Sequence, residues 1–230
     1  MVGLMLTTYN QLEDTKHTLQ SLRQNTSHPY RLVIVDNAST DGTVAYLKEN
    51  GYRLVENEQP VSLTEALNQG ITYFLADPEI THIGWIHNDM EFYPKWLERL
   101  IDFLQDKKDI GKLAPVSLHL FGPNDPQFAE EFMASNSGVS YPGNTCPWIM
   151  PREVIEKVGL FDERFVKCGG YEDWDYNNRI LEAGYNVLIT QGSTVWHPAM
   201  GTRKNHDESE SSGKNAELYF RKWGIHSPKV

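Results

Sequence analysis

Cysteine is scarce in this chain. Cys146 and Cys168 are the only two in 230 residues, and they form no C-x-x-C pair. That argues against a zinc site built on thiolates and against a disulfide scaffold. One disulfide stays open, with nothing that points to an oxidising compartment. Long apolar runs are missing too, so no membrane-spanning helix of about 18 residues is expected. The apolar opening Met1–Leu6 is too short for a signal segment, has no basic n-region and breaks into Thr7-Thr8-Tyr9-Asn10. It reads as a first buried strand in a cytoplasmic protein. Positive charge is in the minority, 21 basic residues against 31 acidic, for a net charge of −10. A nucleic-acid partner, which wants a basic stripe, is not expected. An anionic small ligand stays admissible, because a divalent cation can bridge carboxylates to phosphate oxygens. Neither G-x-G-x-x-G nor a P-loop occurs.

What the chain does have is alternation. Met1–Thr7 predicts a strand, Gln11–Gln24 a helix with Leu12, Leu19 and Leu22 at helical spacing, and Leu32–Val35 a β-branched strand buried on both faces. Ser39 or Asp41 offers a cap for a helix that runs to about Asn50 and stops at Gly51. Tyr52–Glu56, Thr81–Ile86 and Lys112–Val116 read as strands, and Ser62–Leu75 and Pro94–Leu104 as helices. Repeated βαβ units imply a parallel sheet with helices on both faces. The proline-bearing stretch 118–147 predicts irregular structure and short antiparallel pieces rather than a second domain. Helical patterns return at Pro151–Val158 and Glu172–Ala183, followed by a strand at Asn186–Thr190 and a short one ending at His197. The polar stretch 200–213 reads as a mobile loop, and Asn215–Trp223 as a closing amphipathic helix.

Polar clusters stand where apolar runs stop, and in open α/β sheets ligands bind at the carboxyl ends of strands. Asp36 follows Leu32–Val35, ready to accept a hydrogen bond from a base or sugar; a plain turn and helix cap is the competing reading. His87-Asn88-Asp89 follows Ile83–Ile86 and is bracketed by Trp85 and Phe92. A carboxylate held there wants a metal or a sugar hydroxyl as partner. Glu172, Asp173 and Asp175 crowd one helical turn. Asp175 is expected to pair with Arg179 four residues on, leaving another carboxylate for proton transfer. His197 ends a strand, and imidazole with carboxylate suits manganese. Trp148 reads equally as a stacking surface for a sugar or as core. Arg203 and Lys204 lie in the polar stretch after His197, where they could close over a diphosphate as a lid.

These residues, in this order, resemble the inverting, rhamnosyltransferase-like family 2 glycosyltransferases of GT-A fold. The likeness runs from Val2 to about Gly224. Leu6–Asn10 looks like the family's first-strand motif, and Val35 to Thr43 like its V-D-[DN]-x-S-x-D-G-[ST] segment. Leu67–Ile71 looks like its L-N-x-G-[IL] stretch, and Met150–Glu163 like the segment before the catalytic helix. Tyr171–Asp175 looks like its E-D-x-D motif, and Lys222-Trp223-Gly224 like a common ending.

The resemblance implies an α/β fold of GT-A type: a mostly parallel, Rossmann-like sheet flanked by helices, with a smaller antiparallel acceptor-side portion. It implies one domain over 1–230, with a nucleotide-binding half (1–117), an acceptor half (118–199), the loop 200–213, and a helix and tail at 214–230. It also implies roles. Asp36 holds the nucleobase, and Thr7, Thr8 and Tyr9 line that pocket. Asn68 lies by the ribose or diphosphate. Asp89 and His197 bind Mn2+ or Mg2+, and Asp173 is the catalytic base. His87 stands where the family's D-x-D motif begins with aspartate, which puts its usual ribose contact in question; with Asn88 it is assigned to the nucleotide sugar. Trp148, Glu172 and Trp174 are assigned to the acceptor side. The implied partners are a UDP-, dTDP- or GDP-linked sugar and a glycan or other hydroxyl acceptor. Two other functions compete: a non-catalytic nucleotide-sugar or carbohydrate-binding module, and a sugar nucleotidyltransferase. The latter lacks its Gly-rich, basic first loop.

Overall fold

Nine strands form one mixed sheet in the computed structural model, which describes residues 1–136, 138–140, 146–167, 170–198 and 209–224. The apolar runs of the first third become β1 (Val2–Thr8) and β2 (Tyr30–Asp36), paired parallel so that Thr8 stands opposite Asp36. β3 (Leu54–Glu56) extends the sheet beyond β2, and β4 (His82–His87) lies on the other side of β1, both parallel. Helices α1 (Leu12–Asn25), α2 (Thr43–Glu49) and α3 (Leu63–Leu75) make the crossovers. The period of two along β1 feeds two cores. Leu4 and Leu6 join the one that holds Leu19 and Leu22 of α1. Met5 joins the other, with Leu67 and Ile71 of α3.

Past β4 the parallel order breaks. The chain continues through β5 (Glu91–Phe92), α4 (Trp96–Leu104) and β6 (Ile110–Ser117) to a 3-10 turn at Leu118–Leu120. Next come α5 (Pro126–Ser135), β7 (Val139–Ser140), β8 (Trp148–Pro151) and α6 (Arg152–Val158), then α7 (Glu172–Glu182), β9 (Asn186–Trp196) and α8 (Ser209–Trp223). β8 slots between β4 and β6, antiparallel to both. β9 runs parallel to β6 and is edged by β5, antiparallel. The spatial order is β3-β2-β1-β4-β8-β6-β9-β5, with β7 on β9. This is the expected α/β architecture, a Rossmann-like parallel portion followed by an antiparallel one.

Two expectations need correction. The stretch 118–147 carries a regular helix, α5. Asp125 Oδ1 accepts from Phe128 N at 2.8 Å and Pro126 sits in the first turn, a start signal that the surrounding prolines obscured. Trp148–Pro151, to which the sequence pattern assigns no strand, is a central strand that runs into α6. The last helix begins at Ser209 rather than Asn215, so the end of the expected 200–213 loop is helical; residues 200–208 lie outside the described residues. No helix among the described residues is long and apolar enough to cross a membrane.

β8 sits tight against β4 because Gly84 faces it. A Cβ there would lie 2.8 Å from Leu4 Cδ2 and 3.1 Å from the Trp148 carbonyl oxygen. Gly84→Ala is therefore expected to destabilise the protein by about 1–3 kcal/mol through overpacking. An unchanged denaturation midpoint would show that the sheet gives way freely at this point.

Candidate active site

His87, Asp89 and His197 meet at one rim of the sheet. β4 delivers His87 at its carboxyl end, and the turn that follows presents Asp89. The antiparallel pairing of β5 with β9 sets Glu91 opposite Trp196, which draws the next residue, His197, toward the Asp89 turn. Asp89 Oδ1 lies 3.2 Å from His197 Nε2 and 3.8 Å from His87 Nδ1. One ligating atom from each residue falls within 4.8 Å of the others. Asp89 Oδ1 is enclosed, and no hydrogen-bond donor is aligned on it. Burial works to raise the Asp89 carboxyl, but the His197 contact and the neighbouring imidazoles outweigh it and hold the group below the ordinary carboxylate range. An ionised, under-satisfied carboxylate beside two imidazoles is the donor chemistry of a first-row divalent metal, so the residues fit Mn2+.

Next to this cluster, Asp36 is buried at the end of β2. Its Oδ2 accepts from Ser39 N at 2.9 Å, while Oδ1 finds no donor among the described residues. The adjoining loop is braced from below. Asn88 Nδ2 donates to Thr8 Oγ1, Thr15 Oγ1 and the Asn10 carbonyl at 3.1–3.3 Å.

Helix α7 divides its carboxylates between two faces. Asp175 is fully buried and structural. It meets Arg179 Nε at 3.1 Å, Lys222 Nζ at 2.7 Å and Trp223 Nε1 at 3.0 Å. Asp173 points the other way, toward β6. There Lys112 Nζ lies 3.5 Å from Asp173 Oδ1 and donates to Asn177 Oδ1 at 3.1 Å, over the ring of Trp148. Both side chains of this pair are nearly sealed, 1% and 8% exposed. The β6 register shifts between Ile110 and Lys112, a local irregularity of the kind that re-aims a side chain. The entry to α7 is strained, with Gly170 and Tyr171 both at positive φ. Asn215 of α8 holds that turn, donating to the carbonyls of Val166 and Gly170 and accepting from Val166 N. Cys146 is a free, partly buried residue whose Sγ lies 3.9 Å from the Trp85 carbonyl oxygen. Enclosure first, then the Asp173 and Asp89 carboxylates, push its thiol well above the usual range.

Residues 4–137 match the model of the glycosyl transferase family 2. The chain belongs to that family. A curated relative, glycosyltransferase AglE of Haloferax volcanii, is 24% identical over 213 residues, spanning 86% of this chain and 67% of the relative. Among solved structures, the mannosyltransferase PcManGT of Pyrobaculum calidifontis, in complex with GDP-Man and Mn2+, superposes over the whole chain and 65% of its own length. The TM-score is 0.71 at 18% identity. GalNAc-T7 with UDP, GalNAc and Mn2+ superposes over 97% of this chain and 50% of its own, with TM-score 0.70 at 14% identity. This chain therefore spans between half and about two thirds of these proteins. At such identities the structures establish the GT-A fold of this glycosyltransferase domain.

Within the family 2 domain, several expected site residues have partners inside the protein. Trp148 is 1% exposed and stacks on Phe161, so no sugar face can reach it; of the two readings left open, core is the right one. Asn68 is also committed. Its Oδ1 accepts from Phe161 N, and its Nδ2 donates to the Phe161 carbonyl and to Glu163. Asn88 Nδ2 takes part in the loop brace. Thr7 Oγ1 accepts from Trp85 Nε1 at 3.0 Å, and Thr8 belongs to the brace. Tyr9 is partly exposed, Glu172 buried and Trp174 46% exposed. Arg203 and Lys204 lie outside the described residues. Lys112 was missed, although a lone cation inside Ile110–Val116 was a legible signal.

Removing one member of a buried ion pair strands the other. Lys112→Met is expected to cost about 3–5 kcal/mol, most of it recovered in the Lys112→Met/Asp173→Asn double variant. Thermal melts of the wild type and the two variants test this; a fully stable Lys112→Met protein would show the pair to be dispensable.

Proposed function

We propose that this domain is an inverting, metal-dependent glycosyltransferase that moves a sugar from a nucleoside diphosphate donor to an acceptor hydroxyl. The observation that carries the reading is the His87, Asp89 and His197 cluster at the carboxyl end of β4, with one ligating atom from each within 4.8 Å of the others. Asp173, buried at the head of the acidic helix with Lys112 Nζ 3.5 Å away, supplies a second carboxylate. In this reading residues 1–117 bind the nucleotide and 118–199 serve the acceptor. The free Oδ1 of Asp36 accepts from the nucleobase, with Tyr9 at the pocket edge. Asp89 and His197 hold the cation, which supplies positive charge for the departing diphosphate. Asp173 takes the proton from the acceptor hydroxyl as it attacks the anomeric carbon in line, and a single displacement inverts that centre. Lys112 balances the Asp173 charge before the proton arrives. The exposed ring of Trp174, one residue on, offers the acceptor a face to stack on. A lipid-linked acceptor would be met by peripheral contact.

UDP-, dTDP- and GDP-linked sugars, screened with manganese for thermal stabilisation, are expected to single out one donor class. With that donor, Asp173→Asn is expected to retain binding and to lose about 10²–10⁴ in transfer rate. Wild-type turnover in this variant would remove the base assignment. Asp89→Ala is expected to abolish the metal-dependent part of donor binding, measured by calorimetry with and without manganese. An affinity unchanged from wild type would count against the carboxylate as ligand.

A further inference from the structure

Resting on that reading, we propose that His87 is a third protein ligand, and that the resulting two-imidazole, one-carboxylate set makes this domain selective for a nitrogen-tolerant transition ion such as Mn2+ over Mg2+. Three observations converge. His87 Nδ1 reaches to 3.8 Å of the carboxylate oxygen that His197 approaches at 3.2 Å, and the two rings meet edge to face at 5.0 Å. The three ligating atoms thus form a compact triangle with no edge beyond 4.8 Å. Neighbouring ligands on an octahedral ion with bonds of about 2.1 Å lie about 3 Å apart. The Asp89–His197 edge, at 3.2 Å, already has about that length, and the Asp89–His87 edge, at 3.8 Å, lies within about 1 Å of it.

The second observation is how the rings are held. Trp85 packs edge-on against His87 with centroids 4.4 Å apart. The His197 backbone is tied to Ser117 Oγ through both its N–H and its carbonyl, at 3.2 and 3.3 Å. Rings fixed in this way are oriented before an ion arrives. The third is the enclosed Asp89 Oδ1, which faces both imidazoles with no aligned donor.

The chemistry of the donors then decides between ions. Mg2+ prefers an all-oxygen octahedron and keeps its waters, whereas imidazole suits the later first-row divalent ions. An aspartate at position 87 would present oxygen and leave both ions competent. A histidine narrows the choice. It also makes the site one negative charge poorer, which eases the approach of an anionic diphosphate.

The test uses Mn2+ alone, titrated into the intact chain and followed by electron paramagnetic resonance of the free ion, with spin-echo modulation reporting bound nitrogen. The wild type is expected to bind one Mn2+, to show two imidazole couplings, and to keep the ion against about a hundredfold excess of Mg2+. His87→Ala and the milder His87→Gln are expected to weaken Mn2+ binding at least about tenfold and to lose one coupling. His87→Asp is expected to keep Mn2+ but to release it to Mg2+. Wild-type affinity and both couplings in His87→Ala and His87→Gln, with binding lost in Asp89→Ala, would overturn the third-ligand role while sparing the proposed function. Equal release of Mn2+ to Mg2+ by the wild type and His87→Asp would overturn the selectivity. Failure of the wild type to bind Mn2+ by itself would overturn both parts of the inference, and donor-dependent transfer with metal would then judge the proposed function separately.

Discussion

Two residue pairs between β5 and β9 hold the candidate site together. Glu91 opposite Trp196 and Phe92 opposite Val195 fix the register that brings His197 to Asp89. Side chains alternate with period two, so a slip of one residue would turn His197 to the other face and dissolve the cluster. A two-residue strand cannot secure its own register, and helix α1 does so from beneath. Thr18 Oγ1 accepts from Met90 N at 2.9 Å and donates to the Met90 carbonyl, while Ser21 Oγ accepts from Phe92 N at 3.0 Å. Two hydroxyls that look out of place on the buried face of an amphipathic helix thus replace the ladder that a longer strand would supply.

The acidic helix solves a different problem, that of burying neighbouring carboxylates by giving each its own counter-charge. Asp175 is surrounded by cationic and N–H donors and is inert. Asp173 has one cation, at ion-pair distance rather than in a tight hydrogen bond. Burial of both without such separate partners would cost several kcal/mol. The asymmetry leaves one carboxylate under-satisfied, which is the condition for chemistry, and the other as a fastening for α8.

Much of this could be read from residue order. The parallel half announced itself through apolar runs ended by Thr7-Thr8, Asp36 and His87, since strands buried on both faces leave a dense signal. The Asp175–Arg179 pair followed from helical spacing alone. What escaped was non-local. Trp148 lies in β8, which pairs with β4 some sixty residues earlier in the chain, and nothing in Trp148–Pro151 alone marks it as a central strand. Asn68 and Asn88 carried the right residue type for a ligand, but their amides satisfy the backbone and side chains of distant segments, and hydrogen-bond demand of that kind has no sequence period. Lys112 was visible as an oddity, yet its meaning depended on the irregularity at Gly111 and on a helix sixty residues further on.

The fastening of α7 by α8 also has a bearing on biogenesis. Asp175 and Trp223 are 48 residues apart, and Asn215 steadies the strained turn at Gly170 and Tyr171 from 45 residues away. Chain order makes these contacts late, because all nine strands precede α8. On the ribosome the sheet can begin to assemble while the acidic helix is still unanchored. The turn at Gly170 and Tyr171 would then reach its final form only once α8 has emerged.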